Sequence, residues 1–236
     1  EKIEKVVRMI AEARAWGVHV LPPDVNESDT NFAVVYAAPK GDFSPARGAK
    51  VKDKYRPQIR FGLGAVRGVG GAALDSVFEA RASGPFRDLF DFAARVDAKK
   101  LNRAVLESLV CCGAMDATLV ERGITRARAF AAIDLALERA RTASRDRDRG
   151  QTSMFDLFAA AAPQGAVSAE NEYPTVETWD LRETLVREKQ SLGFYVSGHP
   201  LDRYGKNMSR FEVVKTTTMP EMTDWAAVKA AGMVEG

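Results

Sequence analysis

The stretch that most constrains this chain runs over residues 59–81, IRFGLGAVRGVGGAALDSVFEAR, where an apolar strand-like run leads into two close glycines and a helix. Gly68 and Gly70 allow a tight turn in which the backbone takes positive φ. They also leave the backbone bare where a helix begins, so free N–H groups and the positive end of the helix dipole suit an anion. The pattern predicts a phosphate-binding turn; a glycine-rich turn between two core helices is the structural alternative.

This turn resembles the hairpin of a helix-hairpin-helix module, which holds DNA by its backbone and not by its bases. The residues predicted to contact DNA at the first hairpin are Arg67, Gly68, Val69, Gly70 and Gly71. A degenerate second hairpin is predicted where a basic lead-in precedes a helix that begins near Asn102, a good N-cap residue. There the residues able to face phosphate are Lys99, Lys100 and Arg103. A plain helix pair with solvated lysines is the alternative for this second hairpin.

Charge is unevenly distributed, although the formal net charge is only +2. Residues 47–103 carry thirteen Lys or Arg against six Asp or Glu, and residues 168–190 carry three basic against six acidic residues. A basic middle followed by an acidic segment fits a surface for a polyanion and a separate docking region. The basic loop 39–57 is read as a surface loop, or alternatively as an arm near a duplex.

Several other site types are not expected. The only cysteines, Cys111 and Cys112, are adjacent and lack zinc spacing, which favours a reducing, cytoplasmic setting. Because the chain has only two histidines, His19 and His199, a histidine-based metal site or catalytic triad is not expected. Asp146 and Asp148 lie among arginines without apolar residues that could build a dry metal pocket. No apolar run approaches the roughly 18 residues that a membrane span needs.

Residues 151–158, QTSMFDLF, form a short apolar and aromatic cluster between a charged run and a low-complexity stretch. Such a patch in a flexible segment is typical of a docking peptide, and folding back onto its own domain is the alternative.

Periodicity predicts helices over residues 1–16, 86–96, 102–113, 125–143 and 179–192, besides the helix that follows the glycine turn. Strands are predicted at 18–21, 31–36 and 58–63, with the last two paired as a hairpin. Further strands are expected from Phe211 onward. The sequence begins inside a helix and stops within an apolar run, so we expect it to be a piece of a longer polypeptide.

Four runs together resemble the bacterial replicative DNA polymerase III alpha-subunit family: residues 20–28, 60–70, 84–116 and 192–204. The resemblance implies a mainly α fold with short β hairpins, in which a tandem helix-hairpin-helix domain is followed by a flexible clamp-binding segment and the beginning of an OB-type β-barrel. The implied divisions are the end of the fingers domain (1–58), the helix-hairpin-helix domain (59–117), a helix with the clamp-binding segment (118–178), a connecting helix and turn (179–208), and the start of the OB-fold (209–236).

The resemblance also implies the partners: double-stranded primer-template DNA, the sliding clamp and other subunits of the polymerase III holoenzyme, with no membrane. In that family the clamp peptide follows the pattern Gln–x–small or polar–apolar–Phe. The predicted clamp-binding residues are Gln151, Ser153, Met154, Phe155, Leu157 and Phe158. Met154 stands where the family pattern has leucine, which is expected to weaken packing slightly.

In the family, palm-domain aspartates hold two Mg²⁺ ions and join nucleotides, and they lie upstream of the region matched here. No residue of this chain matches them, so no catalytic residue, metal ligand or cofactor is assigned, and the chain alone is not expected to extend a primer. An error-prone paralogue and a purely structural adaptor are alternatives. A repair glycosylase is a third, disfavoured because Ala72 occupies its lysine position while Asp88 and Asp91 straddle its aspartate position.

Overall fold

The computed structural model describes residues 2–36, 57–148, 173–214, 219 and 222–232. Its first helix, α1, spans Lys2–Ala15 and ends before Gly17, whose φ of 77° lies in the left-handed region. This confirms the predicted helix and its glycine stop. In the described residues no helix is both long and apolar enough to cross a bilayer.

A small sheet holds three strands: β1 (Val20–Leu21), β2 (Ala33–Tyr36) and β3 (Pro57–Arg60). The central β3 pairs antiparallel with β2, with Val34 opposite Ile59, which confirms the predicted hairpin. It also pairs in parallel with β1, a contact that the sequence did not predict.

The turn that follows β1 fixes this sheet to the helical part of the chain. The amide of Val25 donates to the carbonyl oxygen of Ala114 at 2.8 Å. Asn26 exchanges two hydrogen bonds with the backbone of Phe86, at 2.9 and 2.7 Å. Ser28 Oγ donates to the carbonyl oxygen of Phe61 at 2.7 Å. Sheet and helices therefore share one core, although they are distant in sequence.

Eight further helices follow in the described residues. They are α2 (Gly71–Arg81), α3 (Leu89–Arg95), α4 (Arg103–Cys111), α5 (Asp116–Val120), α6 (Arg126–Ala131), α7 (Ile133–Asp148), α8 (Leu181–Leu192) and α9 (Gly205–Arg210). Four begin at a side-chain cap: the N-caps of α3, α4, α6 and α8 are Asp88, Asn102, Thr125 and Asp180. These caps explain where the helices start, since each supplies an acceptor for an otherwise unpaired N–H group.

The core lies where α3 packs on α7 and where α4 packs on α6, α7 and α8. Its largest fully buried rings are Phe61, Phe86 and Phe92. The rings of Phe86 and Phe92 lie 4.7 Å apart between centroids, and Phe61 lies 5.1 Å from Phe194. The mainly α architecture with short β strands agrees with the predicted fold class.

Two details of the predicted helices are wrong. The single helix expected over 125–143 is two helices that break at Ala132, where ψ is −5° and the chain makes a tight turn. The second of them, α7, continues to Asp148 instead of ending near residue 143. The short helix α5 was not predicted.

The described residues beyond α9 contain no strand, and residues 211–214 and 222–232 run as turns and irregular backbone. The amide of Val214 donates to the carbonyl oxygen of Lys229 at 2.9 Å, which brings the two stretches together. The start of an OB-type barrel and the proposed domain boundaries therefore stay predictions.

Candidate nucleic-acid interface

In the first hairpin the glycines are exposed to solvent, and two buried valines anchor the turn in the core. Val66 and Val69 are 2% and 8% exposed, whereas Arg67, Gly68 and Gly70 between and beside them are exposed. The alternation follows from a tight turn whose apolar residues enter the core on both sides. The tip is thereby held rigidly while its backbone stays accessible.

The two glycines act differently from each other. Gly68 has φ of 80°, which requires glycine, and a side chain there would lie 3.3 Å from Ser108 Oγ of α4. Gly70 has φ of −79° and ψ of 160° and is the N-cap of α2. The prediction of positive φ is therefore confirmed at Gly68 and wrong at Gly70, where extended backbone suffices to start the helix.

The N-terminus of α2 has the properties expected of an anion site. The cap residue Gly70 supplies no side-chain acceptor, and the first turn contains no acidic residue. Within the described part of the chain, no hydrogen bond uses the N–H groups of Gly70, Gly71 or Ala72, and all three residues are exposed. Unpaired N–H groups at the positive end of a helix attract phosphate oxygens.

Arg67, predicted to contact phosphate, is attached to the last turn of α8. Its backbone N–H donates to the carbonyl oxygen of Ser191 at 2.8 Å. Its Nη1 lies 3.5 Å from the carbonyl oxygen of Gln190, at the limit of a hydrogen bond, and the side chain remains exposed. The hairpin is thus fixed on one side by α8, and the guanidinium lies beside the helix end.

The second hairpin carries its lysines on a turn anchored by Leu101, which is 2% exposed. Asp97 organises the turn: its carboxylate accepts the N–H of Lys99 at 3.0 Å, and its own N–H donates to Ser76 Oγ of α2 at 2.9 Å. Lys99 and Lys100 are exposed, and Lys100 Nζ lies 4.0 Å from Asp97, an ion pair that solvent weakens. The structure therefore joins the two hairpins through Ser76 and Asp97.

Arg103 differs from the two lysines. Its Nε donates to Glu107 at 2.6 Å, and its Nη1 donates to Asp134 of α7. The hydrogen bonds to Asp134 and then Glu107 raise the pKa of this arginine further. Two carboxylates already neutralise the guanidinium, so Arg103 is less available to phosphate than the sequence suggested.

A buried glutamate, which the sequence analysis missed, joins α8 to α6 and to the turn at residues 196–197. Glu188 of α8 is fully buried, and its carboxylate accepts the N–H groups of Val196 and Ser197 at 2.8 and 2.9 Å. Arg126 Nη1 of α6 donates to it at 2.8 Å, while the same arginine also binds Asp116. In the sequence, Glu188 is one of several charged residues on a predicted helix, and nothing in the pattern indicates that it is buried.

The predicted clamp-binding residues, 151–158, lie outside the described residues. The described chain resumes at Tyr173, which is 3% exposed and whose hydroxyl accepts the N–H of Leu89 at 3.2 Å. Trp179 follows, stacked 4.1 Å beneath the Arg187 guanidinium and 5.5 Å from the Phe130 ring. The segment that contains the predicted peptide is therefore followed by anchored chain, which begins at Tyr173.

The aspartates that straddle the glycosylase position have local partners. Asp88 caps α3 and lies 3.1 Å from Arg122 Nη1. Asp91 accepts the N–H of Arg87 at 3.0 Å and binds Arg95 at 3.1 Å. Although burial alone would raise it, these hydrogen bonds and charges hold the pKa of Asp91 below its ordinary value. Both carboxylates thus form local hydrogen bonds and ion pairs at α3.

Comparison of the sequence with known proteins identifies relatives of this chain. Residues 17–129, which include both hairpins, match the sequence profile of the helix-hairpin-helix motif. The chain is 31% identical to DNA polymerase III subunit alpha of Vibrio cholerae over 99% of its own length. The chain belongs to the DNA polymerase III alpha-subunit family. It is likewise 33% identical to the alpha subunit of Escherichia coli K12 over 99% of its length, and 33% identical to that of Bacillus subtilis over 87%.

The matched part of these alpha subunits is small. The chain spans 18% of the length of the Vibrio cholerae and Escherichia coli proteins and 16% of that of Bacillus subtilis. The sequence matches thus establish membership of the alpha-subunit family and the presence of the helix-hairpin-helix motif. Which residues touch DNA or a partner does not follow from the match and is argued below.

Proposed function

We propose that this chain is the segment of a replicative polymerase alpha subunit that grips duplex DNA by its phosphates and docks on the sliding clamp. The observation that carries the DNA-binding part is the exposed N-terminus of α2, whose free N–H groups follow a rigid glycine turn. Backbone donors read no base edges, so the grip is independent of sequence. The excess of basic over acidic residues in the sequence of 47–103 adds long-range attraction for the duplex.

Within this site the contributions differ between residues. Lys99 and Lys100 supply exposed positive charge on the second turn, whereas Arg103 mainly joins α4 to α7 through Asp134. Each phosphate contact steepens the salt dependence of duplex binding by a log–log slope of about 0.9. Replacement of Lys99 and Lys100 by glutamine is therefore expected to lower the slope by about 1.8 if each contacts one phosphate.

A glutamate at the exposed residue Ala72 tests the phosphate grip without threatening the fold. Ala72→Glu places a negative charge in the first turn of α2, where it stabilises the helix dipole but repels phosphate. We expect unchanged or raised thermal stability together with weaker binding to every duplex sequence, measured by fluorescence anisotropy. The matched control is Ala72→Gln, which has the same size and no charge.

Arg67→Glu provides a second test at the same hairpin. It should weaken binding to all duplex sequences alike, because the charge lies beside the phosphate-binding turn. If Ala72→Glu and Arg67→Glu both leave duplex affinity unchanged, the chain is a structural adaptor and not a DNA-binding segment. A change of sequence preference would instead indicate direct reading of bases. Excision of a damaged base by the chain would support the glycosylase alternative.

The clamp-binding part of the proposal depends on residues 151–158 and their family pattern. Met154 and Phe155 are proposed to insert into an apolar pocket on the clamp, with Gln151 at the rim. Removal of a central aromatic anchor commonly costs about 2 kcal/mol or more. Met154→Ala combined with Phe155→Ala should abolish capture of the chain by an immobilised clamp while duplex binding is kept.

The matched control for the clamp test is Thr152→Ala, at the unspecified position of the pattern, which should be captured normally. Equal capture of the double variant and the parent chain would refute clamp docking through this peptide. Other contacts with polymerase III subunits, and a cytoplasmic location, remain part of the proposal.

We assign the chemistry of nucleotide transfer to parts of the subunit that this chain does not match. No residue here is proposed as a catalytic group or as a ligand for the Mg²⁺ ions of the palm domain. Primer extension by the purified chain, above that of a mock purification, would overturn this assignment.

A further inference from the structure

Two grooves meet at one aromatic pair, and no residue of the glycine hairpins lines either of them. The α1 groove, about 760 Å³ in volume, runs between α1 and the turn 193–202. The α8 groove, about 620 Å³, runs between α8 and residues 199–204. Tyr195 and His199 line both grooves, so the two meet at this pair. Because the grooves meet at this pair, they suit an elongated ligand that crosses the pair better than a compact ligand that fills one groove.

Charge in the grooves favours a polyanion. Five cationic side chains line them, Arg8, Arg14, Arg182, Lys189 and Arg203, against two carboxylates, Asp180 and Asp202. Both carboxylates are engaged locally: Asp180 accepts the N–H of Glu183 at 2.6 Å, and Asp202 accepts the N–H of His199 at 2.6 Å. Glu12, outside the lining, lies 3.3 Å from Arg8 in a fully exposed pair that contributes little.

Two of these arginines are available to a ligand. Arg14 in the α1 groove and Arg182 in the α8 groove are both exposed, and neither guanidinium makes a hydrogen bond or ion pair within the described part of the chain. One lies in each groove, on opposite sides of the Tyr195–His199 pair. Successive phosphates of an extended strand would meet one arginine on each side.

Aromatic rings and cations contact one another within these grooves. The rings of Tyr195 and His199 meet edge to face with centroids 5.5 Å apart. Lys189 Nζ lies 5.6 Å from the Tyr195 centroid, and the Arg203 guanidinium lies 4.5 Å from that of Tyr204, which is 41% exposed. Aromatic faces between basic side chains are the usual means of holding unpaired bases and their phosphates.

We infer that the two grooves together form a binding site for single-stranded nucleic acid, with Arg14 and Arg182 on phosphates and Tyr195 with His199 under a base. A duplex is disfavoured because its bases already stack on each other and offer no free face to Tyr195. An acidic peptide would match the charge but would leave the aromatic pair without a partner ring. The inference goes beyond the proposed duplex grip, since it concerns a different surface and a different ligand.

The test is fluorescence anisotropy of the 236-residue chain with labelled oligo-dT of about 12 nucleotides, a length within the usual site sizes. Arg14→Glu combined with Arg182→Glu should weaken binding about tenfold and lower the log–log salt slope by about 1.4. Tyr195→Ala should weaken it about fivefold or more, and Tyr195→Phe should restore most of the affinity because the ring is kept. Arg141→Glu combined with Arg145→Glu, at two exposed arginines of α7 outside both grooves, is the charge-matched control.

The hairpin variant separates this inference from the duplex grip: Ala72→Glu should keep oligo-dT binding while it loses duplex binding. Thermal melting of each variant shows that it is folded. The site would be overturned if Arg14→Glu with Arg182→Glu lost no more oligo-dT binding than Arg141→Glu with Arg145→Glu, because the effect would then be one of general charge. Unchanged binding by Tyr195→Ala, or preferential binding of a labelled polyglutamate peptide at these residues, would overturn it as well.

Discussion

The backbone N–H of Arg67 lies 2.8 Å from the carbonyl oxygen of Ser191, so the glycine hairpin is fastened to the last turn of α8. The residues involved are 124 positions apart in sequence. Helix α8 in turn carries the buried Glu188, which reaches Arg126 of α6. One helix thus positions the hairpin relative to the rest of the helical core.

This contact predicts a contrast in amide hydrogen exchange across the hairpin. The amide of Arg67 should exchange slowly although its side chain is exposed, because its hydrogen bond opens only when α8 moves away. The amides of Gly70 and Gly71 should exchange rapidly and become protected when duplex DNA is added. NMR-detected exchange measures all three. Fast exchange at Arg67 in the free chain would contradict the attachment.

Gly68 and Gly71 should respond in opposite directions to alanine. Gly68→Ala is expected to lower the free energy of unfolding by about 1 kcal/mol, because its φ of 80° is unfavourable for an L-residue. Gly71→Ala should be neutral or stabilising by up to about 1 kcal/mol, since Gly71 is helical and a methyl group there meets nothing within 4 Å. Urea unfolding monitored by circular dichroism gives both values. Equal effects would show that the turn does not require glycine at residue 68.

Glu188→Ala should be among the most destabilising single changes in α8. It removes one of the two carboxylate partners of Arg126 and leaves two backbone N–H groups without an acceptor, at a cost of about 3–5 kcal/mol. The control is Glu183→Ala on the same helix, whose half-exposed pair with Arg187 is worth about 0.5 kcal/mol. Chemical unfolding of both variants tests the difference. A loss at Glu188 no larger than that at Glu183 would be incompatible with the buried network.

The thiols should be unreactive in the folded chain. Burial raises the pKa of the Cys112 thiol to about 12, so at pH 8 about one molecule in 10,000 carries the reactive thiolate there. Burial also raises the pKa of Cys111, although Arg187 opposes the shift. A chromogenic disulfide reagent should react slowly with the native chain and release two equivalents of product in guanidinium chloride. Rapid native reaction at either cysteine would mean that the α4–α8 contact opens readily.

Asp91 should contribute to the acid sensitivity of the fold. Its pKa is lowered in the folded state, so its stabilisation is present above the unfolded value of about 3.9 and is lost as the pH falls through the lower folded value. Asp91→Asn should therefore destabilise the chain at pH 6 and make little difference well below pH 3. Urea unfolding at both pH values measures this, with the exposed Asp75→Asn as control. A pH-independent effect of Asp91→Asn would show that packing, not charge, dominates.

The local sequence determined most of the helices and the form of the first hairpin. Asn102, Thr125 and Asp180 mark helix starts because their side chains accept backbone N–H groups a few residues away. The spacing of Val66 and Val69 about Arg67 and Gly68 likewise determines which residues face the core. Such contacts span few residues, so pattern and propensity suffice to predict them.

Only the tertiary structure decided what surrounds each candidate residue. It placed Arg67 beside the end of α8, neutralised Arg103 with Glu107 and Asp134, and buried Glu188 completely. It also split one predicted helix at Ala132, where packing on α4 overrides a continuous apolar pattern. The physical reason is that burial and charge pairing depend on groups brought together from distant parts of the chain. The sequence determined that a tight glycine turn forms before a helix, and the fold decided which charges around that turn are already paired.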